Sequence, residues 1–338
     1  MEYILLANKI AIGIHGENDA IRYVKSELRD YIKSESQGIP IIGNMVNDDS
    51  LTIPLNLHLL LDGRLFYNEN VFYIKSGGEY IVCKPQEKYF EIITSKGADG
   101  HALLGLLQAL LNYYMPSMGL LFLHTAAFKY KNRIYAIHAF GGTGKTEVML
   151  CALRNGADFI SDDLAIYDSY GQIYPYTRSI SLHDYPYTDD DLQFYGLSRR
   201  WYQIMRLVKD KKDRISQRLY SRLRGHYNIR FHYKRITCRE TVLQFYPVDQ
   251  NYWMETSDKT EFIEISNNAF FRKMEFCMQN EFRSYIDYDG YFGCILPFWN
   301  NLRNVHRDFL IKVLSKMDIE AININGQHYD EVFQLIKR

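Results

Sequence analysis

The sequence lacks several features that would assign a protein class directly. Its five cysteines are scattered, odd in number and without CxxC or Cys/His spacing, so neither a zinc site nor a disulfide framework is indicated. The formal net charge is zero, which argues against a surface given over entirely to polyanion binding. The N-terminus has no basic segment followed by a long apolar one, so we expect no secretory signal and a cytoplasmic location.

Long uninterrupted apolar runs are also missing. The most apolar stretch, residues 102–128, is broken by Gln108, Asn112, Pro116 and His124, so we expect a buried helix and a buried strand there and no membrane span. The composition is that of a globular protein, with 47% hydrophobic and 24% charged residues. The chain is rich in Tyr and Phe, which favours many strands and a mixed α/β (α+β) fold.

The sequence predicts a β-rich N-terminal accessory region at residues 1–98 and the main domain at residues 99–338. In the first region short apolar runs alternate with turn signals. The expected strands are residues 3–14, 56–61, 71–74, 80–84 and 89–94. One helix is expected between Asn18 and Lys33, because apolar residues recur there at helical spacing.

A β-hairpin is predicted directly after the apolar helix expected at residues 101–114. Two strand-like runs, 121–128 and 133–139, flank a polar segment that fits a four-residue hairpin loop. If the hairpin closes symmetrically, His124 lies opposite Ile137. This register would place the histidine beside the segment that follows the second strand.

A βαβ unit is predicted to continue from the hairpin. Residues 143–155 fit a helix, which Gly156 would end as a C-terminal cap, and residues 157–161 fit the next strand. Crossovers of this kind are right-handed and join strands that run in the same direction. Both strands should therefore end at the same edge of the sheet.

A phosphate-loop pattern, A/G-x-x-x-x-G-K-S/T, occupies residues 139–146 between the predicted strand and the predicted helix. Its glycines let successive backbone N–H groups approach phosphate oxygens, and the helix N-terminus favours an anion. Lys145 would neutralise the β- and γ-phosphates of ATP, and Thr146 offers a hydroxyl to Mg²⁺. The predicted nucleotide-binding residues of the loop are Gly141, Gly142, Thr143, Gly144, Lys145 and Thr146. The alternative is a glycine-rich turn that only caps a helix.

Two carboxylates and one histidine are predicted to lie near this loop. Asp162 and Asp163 follow the strand at residues 157–161, at the sheet edge that also carries the loop. Paired carboxylates suit phosphoryl transfer to an alcohol, because one can accept the proton while the other holds the metal. His124 would lie beside the loop and contact phosphate or tune a carboxylate, although a histidine in an apolar strand is often only a core residue.

These motifs together resemble the catalytic domain of the HPr serine kinases over roughly residues 100–185. That family has a histidine ahead of its phosphate loop, G-x-x-G-x-G-K-S-E through the loop, and an Asp-Asp pair after the next strand. The matching positions here are His124, residues 141–147, and Asp162-Asp163. The resemblance implies a phosphate-loop fold related to phosphoenolpyruvate carboxykinases, with Mg-ATP phosphorylating a protein serine.

By the same resemblance, Asp162 is the proton acceptor, Asp163 and Thr146 hold Mg²⁺, and Glu147 supports the nucleotide and metal site. The family's downstream E-x-R-G-x-G signature is absent, and residues 174–182 read YPYTRSISL instead. Shorter relatives, including peptide-modifying kinases encoded beside lasso-peptide clusters, are more similar in organisation. Arg178 is a predicted phosphate or acceptor contact, with a surface arginine as the alternative.

A basic stretch at about residues 199–239 predicts an amphipathic helical insert. It would bind an acidic substrate, cover the nucleotide as a lid, or pack as a solvated helix.

The leading expectation for function is an ATP-dependent kinase acting on a hydroxyl, a serine in particular, of a peptide or protein. Two others stay open: a small-molecule kinase or carboxykinase-like enzyme of the same fold, and a nucleotide-gated binding protein that contacts nucleic acid through the basic stretch. The lack of a recognisable nucleic-acid module counts against the last. The sequence is compatible with a homo-oligomer.

Overall fold

The computed structural model describes residues 1–54, 56–61, 64–76, 79–182, 187–200, 202–203, 229–231, 245–281, 292–326 and 328–337. Within these ranges the chain is a mixed α/β protein whose strands form sheets of nine, three, six and two strands. The predicted basic insert at residues 199–239 lies almost entirely outside the described residues. No helix in the described ranges is long and apolar enough to cross a membrane.

The nine-stranded sheet is built wholly from the N-terminal region. Its strands are β1 (Glu2–Leu6), β2 (Ile10–His15), β3 (Ile32–Lys33), β4 (Ile41–Asn47), β5 (His58–Leu61), β6 (Leu65–Asn68), β7 (Val71–Ser76), β8 (Glu79–Pro85) and β9 (Phe90–Thr94). They are ordered β3-β1-β2-β4-β9-β8-β7-β6-β5. The predicted strands of this region are confirmed, except that residues 3–14 form two strands joined by a turn.

The helix predicted between Asn18 and Lys33 is correct only in its first part. Helix α1 spans Asp19–Glu27, with the Asn18 side chain accepting from the backbone N–H of Ile21 at 2.9 Å, and a 3₁₀ turn follows at Arg29–Tyr31. Ile32 then pairs with Ile4 in the sheet. Ile32 thus faces the core from a strand and not from a helix. The apolar pattern in the sequence therefore extends past the end of α1.

The remaining elements follow the N-terminal region. The helices are α2 (Gly100–Tyr114), α3 (Lys145–Arg154), α4 (Asp189–Phe194), α5 (Asn267–Glu281), α6 (Trp299–Leu314) and α7 (Tyr329–Ile336). The strands are β10 (Leu120–Leu123), β11 (Thr125–Tyr130), β12 (Arg133–His138), β13 (Asp158–Ser161), β14 (Ala165–Asp168), β15 (Ile173–Tyr174), β16 (Ile180–Leu182), β17 (Ile229–Phe231), β18 (Gln250–Ser257), β19 (Glu261–Ile263) and β20 (Ile319–Asn325).

The predicted hairpin exists, but its register differs from the expected one. Lys131 and Asn132 both adopt positive φ, 49° and 65°, so the loop contains only these two residues and Tyr130 pairs with Arg133. Ala126, and not His124, is therefore opposite Ile137. The first strand is also interrupted at His124, because β10 pairs with β14 in the three-stranded sheet while β11 belongs to the six-stranded one.

The predicted βαβ unit is confirmed. Strands β12 and β13 are each antiparallel to β11, which lies between them, so they run in the same direction and α3 crosses from one to the other. Gly156 ends the helix with φ 89°, as its position predicts. The six-stranded sheet has the order β13-β11-β12-β18-β20-β19, and the predicted phosphate loop, residues 139–146, follows the end of β12.

Two apolar clusters hold these layers together. The larger one runs from the inner face of the nine-stranded sheet through α1 and α2 to β10, β14 and α6, without a break at the end of the N-terminal region. The smaller one lies between the six-stranded sheet and the helices α3 and α7. The segment that follows Asp163 therefore packs beside the N-terminal region.

Candidate functional site

The phosphate loop joins the buried strand β12 to the first residue of α3. Gly142 and Gly144 have φ of 78° and 100°, conformations that residues with a Cβ rarely adopt. A methyl group added at Gly141 or Gly142 would meet no atom within 4 Å, so this side of the loop is open. The loop therefore has the backbone freedom and access that close approach of a phosphate requires.

The Lys145 ammonium lies under the loop. The side chain is buried, and Nζ donates to the carbonyl oxygens of Ala139 at 3.2 Å and Phe140 at 3.4 Å. It is also 3.2 Å from His124 Nε2. The structure thus places a cation at the N-terminus of α3, where the helix dipole already favours an anion.

Gly144 is the loop glycine that can least accept a side chain. A Cβ there would overlap the ring of Tyr329, in addition to the strain of φ 100°. We expect Gly144→Ala to destabilise the fold by about 2 kcal/mol or more and to weaken ATP binding. Gly142→Ala should cost about 1–2 kcal/mol from backbone strain alone, and Gly141→Ala should be nearly neutral. Chemical denaturation of the three variants tests this order, and equal stability of the Gly144 and Gly141 variants would contradict it.

Thr146 and Asp162 form the part of the site that fits a divalent cation. The Thr146 hydroxyl donates to Asp162 Oδ1 at 2.9 Å. Adjacent ligands of an octahedral Mg²⁺ lie about 3 Å apart, since each is about 2.1 Å from the ion. The two oxygens therefore already have the spacing of neighbouring magnesium ligands.

In the described part of the chain there is no group of three or more His, Cys, Asp or Glu side chains that could hold a metal. A Mg²⁺ that arrives with ATP needs no such group, because phosphate oxygens and water complete its shell.

Asp163 belongs to a different set of contacts. Its backbone has φ 71°, and its carboxylate lies 3.2 Å from His124 Nε2 and forms an ion pair with Arg178. The side chain is 43% exposed, whereas Asp162 is buried. The left-handed turn at Asp163 thus separates two carboxylates that are adjacent in sequence.

The two carboxyl groups have opposite pKa shifts. Burial and the neighbouring Asp163 charge raise the pKa of Asp162 to about 6, against the effect of its hydrogen bond to Thr146. Partial desolvation would also raise the pKa of Asp163, but the hydrogen bond with His124 and the Arg178 guanidinium hold it below its usual range. Asp163 is therefore ionised at neutral pH.

His124 is joined to the rest of the site through both ring nitrogens. Nδ1 is 3.1 Å from Cys277 Sγ on α5, and Nε2 faces Asp163. The Cys277 thiol also donates to the carbonyl of Ala139 at 3.3 Å. Sequence reasoning did not include Cys277 in the site, and 153 positions separate it from His124 without any motif to connect them.

Two predicted residues direct their side chains to other partners. Thr143 Oγ1 donates to the Phe140 carbonyl at 2.9 Å, within the loop. Glu147 accepts a 2.6 Å hydrogen bond from the Tyr187 hydroxyl, and burial raises the pKa of this carboxyl to about 7. The structure thus brings together His124, Lys145, Thr146, Asp162, Asp163 and Arg178, with Thr143 and Glu147 at the margin.

Comparison with known proteins adds no assignment. No family model matches the chain, and no curated protein matches it. The arrangement around the phosphate loop is therefore the basis for a functional conclusion. It combines a buried ammonium, a hydroxyl–carboxylate pair joined by a hydrogen bond, and a second carboxylate held by a histidine and an arginine.

Proposed function

We propose that this protein is an ATP-dependent phosphotransferase that transfers the γ-phosphate to a hydroxyl group, with a serine of a peptide or protein as the expected acceptor. The observation that carries this proposal is the convergence of Lys145, the Thr146–Asp162 pair and Asp163 at the end of the phosphate loop. A loop that only capped a helix would not require a buried lysine and two carboxylates beside it. In phosphoryl transfer from Mg-ATP, groups of these kinds neutralise the phosphates, hold the metal and orient the acceptor.

ATP would bind with its β- and γ-phosphates against the loop N–H groups and the Lys145 ammonium. The geometry favours Thr146 and Asp162 as the residues that hold Mg²⁺, which differs from the expectation that Asp163 does so. When bound, Mg²⁺ neutralises charge on the phosphate oxygens. The open face at Gly141 and Gly142 leaves room for the phosphates to enter.

Asp163 would orient the acceptor hydroxyl. It would take the proton once the bond to phosphorus has largely formed, when that oxygen is acidic enough to transfer a proton to a carboxylate whose pKa lies below its usual range. The new bond forms between the acceptor oxygen and the γ-phosphorus, the bond from that phosphorus to the β–γ bridging oxygen breaks, and the acceptor proton passes to the Asp163 carboxylate. Its partial exposure suits contact with an incoming substrate. His124 and Arg178 hold the carboxylate in place, so little reorganisation is needed during transfer.

The proposal is tested by incubating the protein with labelled ATP, Mg²⁺ and candidate acceptors, and by locating the modified residue with mass spectrometry. Phosphorylation of a serine peptide supports the proposal. Phosphorylation of metabolites alone would favour the small-molecule kinase, and ATP binding without transfer to any acceptor would favour a nucleotide-gated binding protein. Nucleic acid that binds in a salt-dependent manner would strengthen that last outcome.

The different roles proposed for Asp162 and Asp163 give a separate prediction. Asp162→Asn and Asp163→Asn should each reduce transfer by about 10²–10⁴-fold. Only Asp162→Asn should raise the Mg²⁺ concentration needed for half-maximal ATP binding, because Asp162 is paired with Thr146. The exposed Asp258→Asn is the matched control and should behave as wild type. If Asp163→Asn alone raised the Mg²⁺ requirement, the roles would be those implied by the resemblance.

A further inference from the structure

We propose that the N-terminal region, residues 1–98, is part of the active site. In this proposal Tyr31 is a positioning residue that fixes the orientation of the Arg178 side chain through the segment 175–179. This inference rests on the proposed phosphotransferase function. It gives a role to a region that the sequence alone suggests to be accessory. Three sets of contacts support it: those of the segment, those of Tyr31 and those of Arg178.

The segment 175–179 is held by side chains and not by a sheet. It lies between β15 and β16 and belongs to no strand, although Tyr176 and Thr177 are fully buried. Buried backbone N–H groups need partners. Those of residues 176, 177 and 179 donate to Ser161 Oγ at 2.8 Å, to the Tyr31 hydroxyl at 2.7 Å and to Glu27 Oε2 at 3.2 Å, respectively. Two of these three partners come from the N-terminal region.

The Tyr31 hydroxyl is the central contact. It donates to the Pro175 carbonyl at 2.8 Å and accepts from the Thr177 N–H at 2.7 Å, so a single hydroxyl fixes the backbone on both sides of Tyr176. The Thr177 hydroxyl lies 3.2 Å from the same oxygen. Tyr31 is only 1% exposed, and water therefore does not substitute for these bonds in the native structure.

Arg178 follows Thr177 directly and reaches the carboxylate site. Its guanidinium forms the ion pair with Asp163, and Nη1 donates to Gln108 Oε1 at 3.2 Å. Gln108, on α2, also donates to the Tyr176 hydroxyl at 3.0 Å. The Tyr31 contacts and the Gln108 contacts therefore fix the short segment that orients Arg178, and Arg178 in turn orients Asp163.

The test compares Tyr31→Phe with Tyr114→Phe. Tyr114 is also buried, and its hydroxyl donates to the carbonyls of Gln86 and Tyr89, so its variant loses a similar contact away from the segment. We expect Tyr31→Phe to lower kcat about tenfold with the ATP dissociation constant unchanged, the size of effect that follows from loss of one buried hydrogen-bonding group. Tyr114→Phe should leave kcat within about twofold of wild type. Equal kcat losses in both variants would overturn the proposal, because they would indicate a general loss of stability.

A double-mutant cycle tests whether Tyr31 acts through Arg178. In an Arg178→Lys background, Tyr31→Phe should change kcat by less than about twofold, because the guanidinium that Tyr31 helps to position is already gone. A full tenfold effect in that background would overturn the proposed route.

Amide hydrogen exchange gives a readout that does not depend on activity. Exchange at Thr177 should rise at least about tenfold in Tyr31→Phe and stay at the wild-type rate in Tyr114→Phe. Unchanged exchange at Thr177 in Tyr31→Phe would overturn the inference even if the protein proved to be a kinase. Conversely, faster exchange in a protein with no detectable transfer would show that the proposed function fails while the structural link holds.

Discussion

Lys145→Met is expected to weaken ATP binding by about 100-fold and to reduce phosphoryl transfer by about 10³-fold. The ammonium would meet the β- and γ-phosphates at the N-terminus of α3, and methionine replaces it with an apolar chain of similar length. The fold should be retained in this variant. In the ligand-free protein Lys145 donates to two loop carbonyls and lies near Asp162 and Asp163, so its loss should lower the free energy of unfolding by about 1–3 kcal/mol.

The affinity for ATP and the unfolding of the ligand-free protein are both measured for Lys145→Met. Isothermal titration with ATP should show the loss of affinity, while chemical denaturation of the ligand-free variant should show a single cooperative transition, and therefore a retained fold. The exposed Lys96→Met is a control for the removal of one positive charge. Unchanged ATP affinity in Lys145→Met would refute the assignment of residues 139–146 as a nucleotide-binding loop.

One buried histidine, His138, is expected to contribute a loss of stability of roughly 3 kcal/mol between pH 7 and pH 4. Burial lowers the pKa of His138 to about 4, and the nearby Lys145 contributes in the same direction. The ring lies between Thr125 Oγ1, 2.9 Å from Nδ1, and Asn251 Oδ1, 3.3 Å from Nε2. These two contacts suit a neutral imidazole, with Thr125 donating to one nitrogen and Asn251 accepting from the other.

The direction of this pH effect follows from proton binding. The unfolded chain takes up a proton at His138 as the pH falls below about 6.5, whereas the folded protein does not until about pH 4, so acid favours unfolding throughout that interval. Asp162 and Glu147, whose pKa values are raised, act in the opposite direction over an overlapping range. The contribution of His138 is therefore measured as a difference between proteins.

His138→Gln should show a smaller acid-dependent loss of stability than wild type, by roughly 3 kcal/mol between pH 7 and pH 4. Glutamine keeps a polar side chain at this buried position. Any pH-independent cost of the substitution cancels, because only the change in stability between pH 7 and pH 4 is compared. Urea denaturation of both proteins at several pH values gives the result. Parallel pH profiles would show that His138 does not titrate over this interval.

Local sequence patterns predicted most of the secondary structure that carries the site. Alternating apolar residues and turn signals marked six of the nine strands of the N-terminal region but missed β3, β4 and β6, and the run of apolar residues at 101–114 marked α2. The strand–loop–helix–strand order around residues 133–161 is confirmed, because each element there has its own strong signal. At Ile32 the apolar spacing fits both a helix and a strand, and the predicted helix is wrong there.

The hairpin register shows the limit of local reasoning. A polar four-residue segment predicted a four-residue loop, but Lys131 and Asn132 both adopt positive φ and shorten the loop to two residues. Neither position carries the glycine that usually signals such a turn. The pairing of Ala126 with Ile137 follows from this shorter loop, although His124 still lies 3.2 Å from Lys145 Nζ, as its predicted place beside the loop requires.

By itself the sequence determined that the glycine-rich loop 139–146 lies between a strand and a helix and that a carboxylate pair follows the next strand, because glycine content and a βαβ order constrain the backbone locally. Only the tertiary structure decided that Asp162 joins Thr146 while Asp163 joins His124 and Arg178. The physical reason is that a left-handed turn at Asp163 reverses its side chain, and packing brings together residues distant in sequence. The same packing connects Tyr31 to the site across 144 positions, which no periodicity in the chain records.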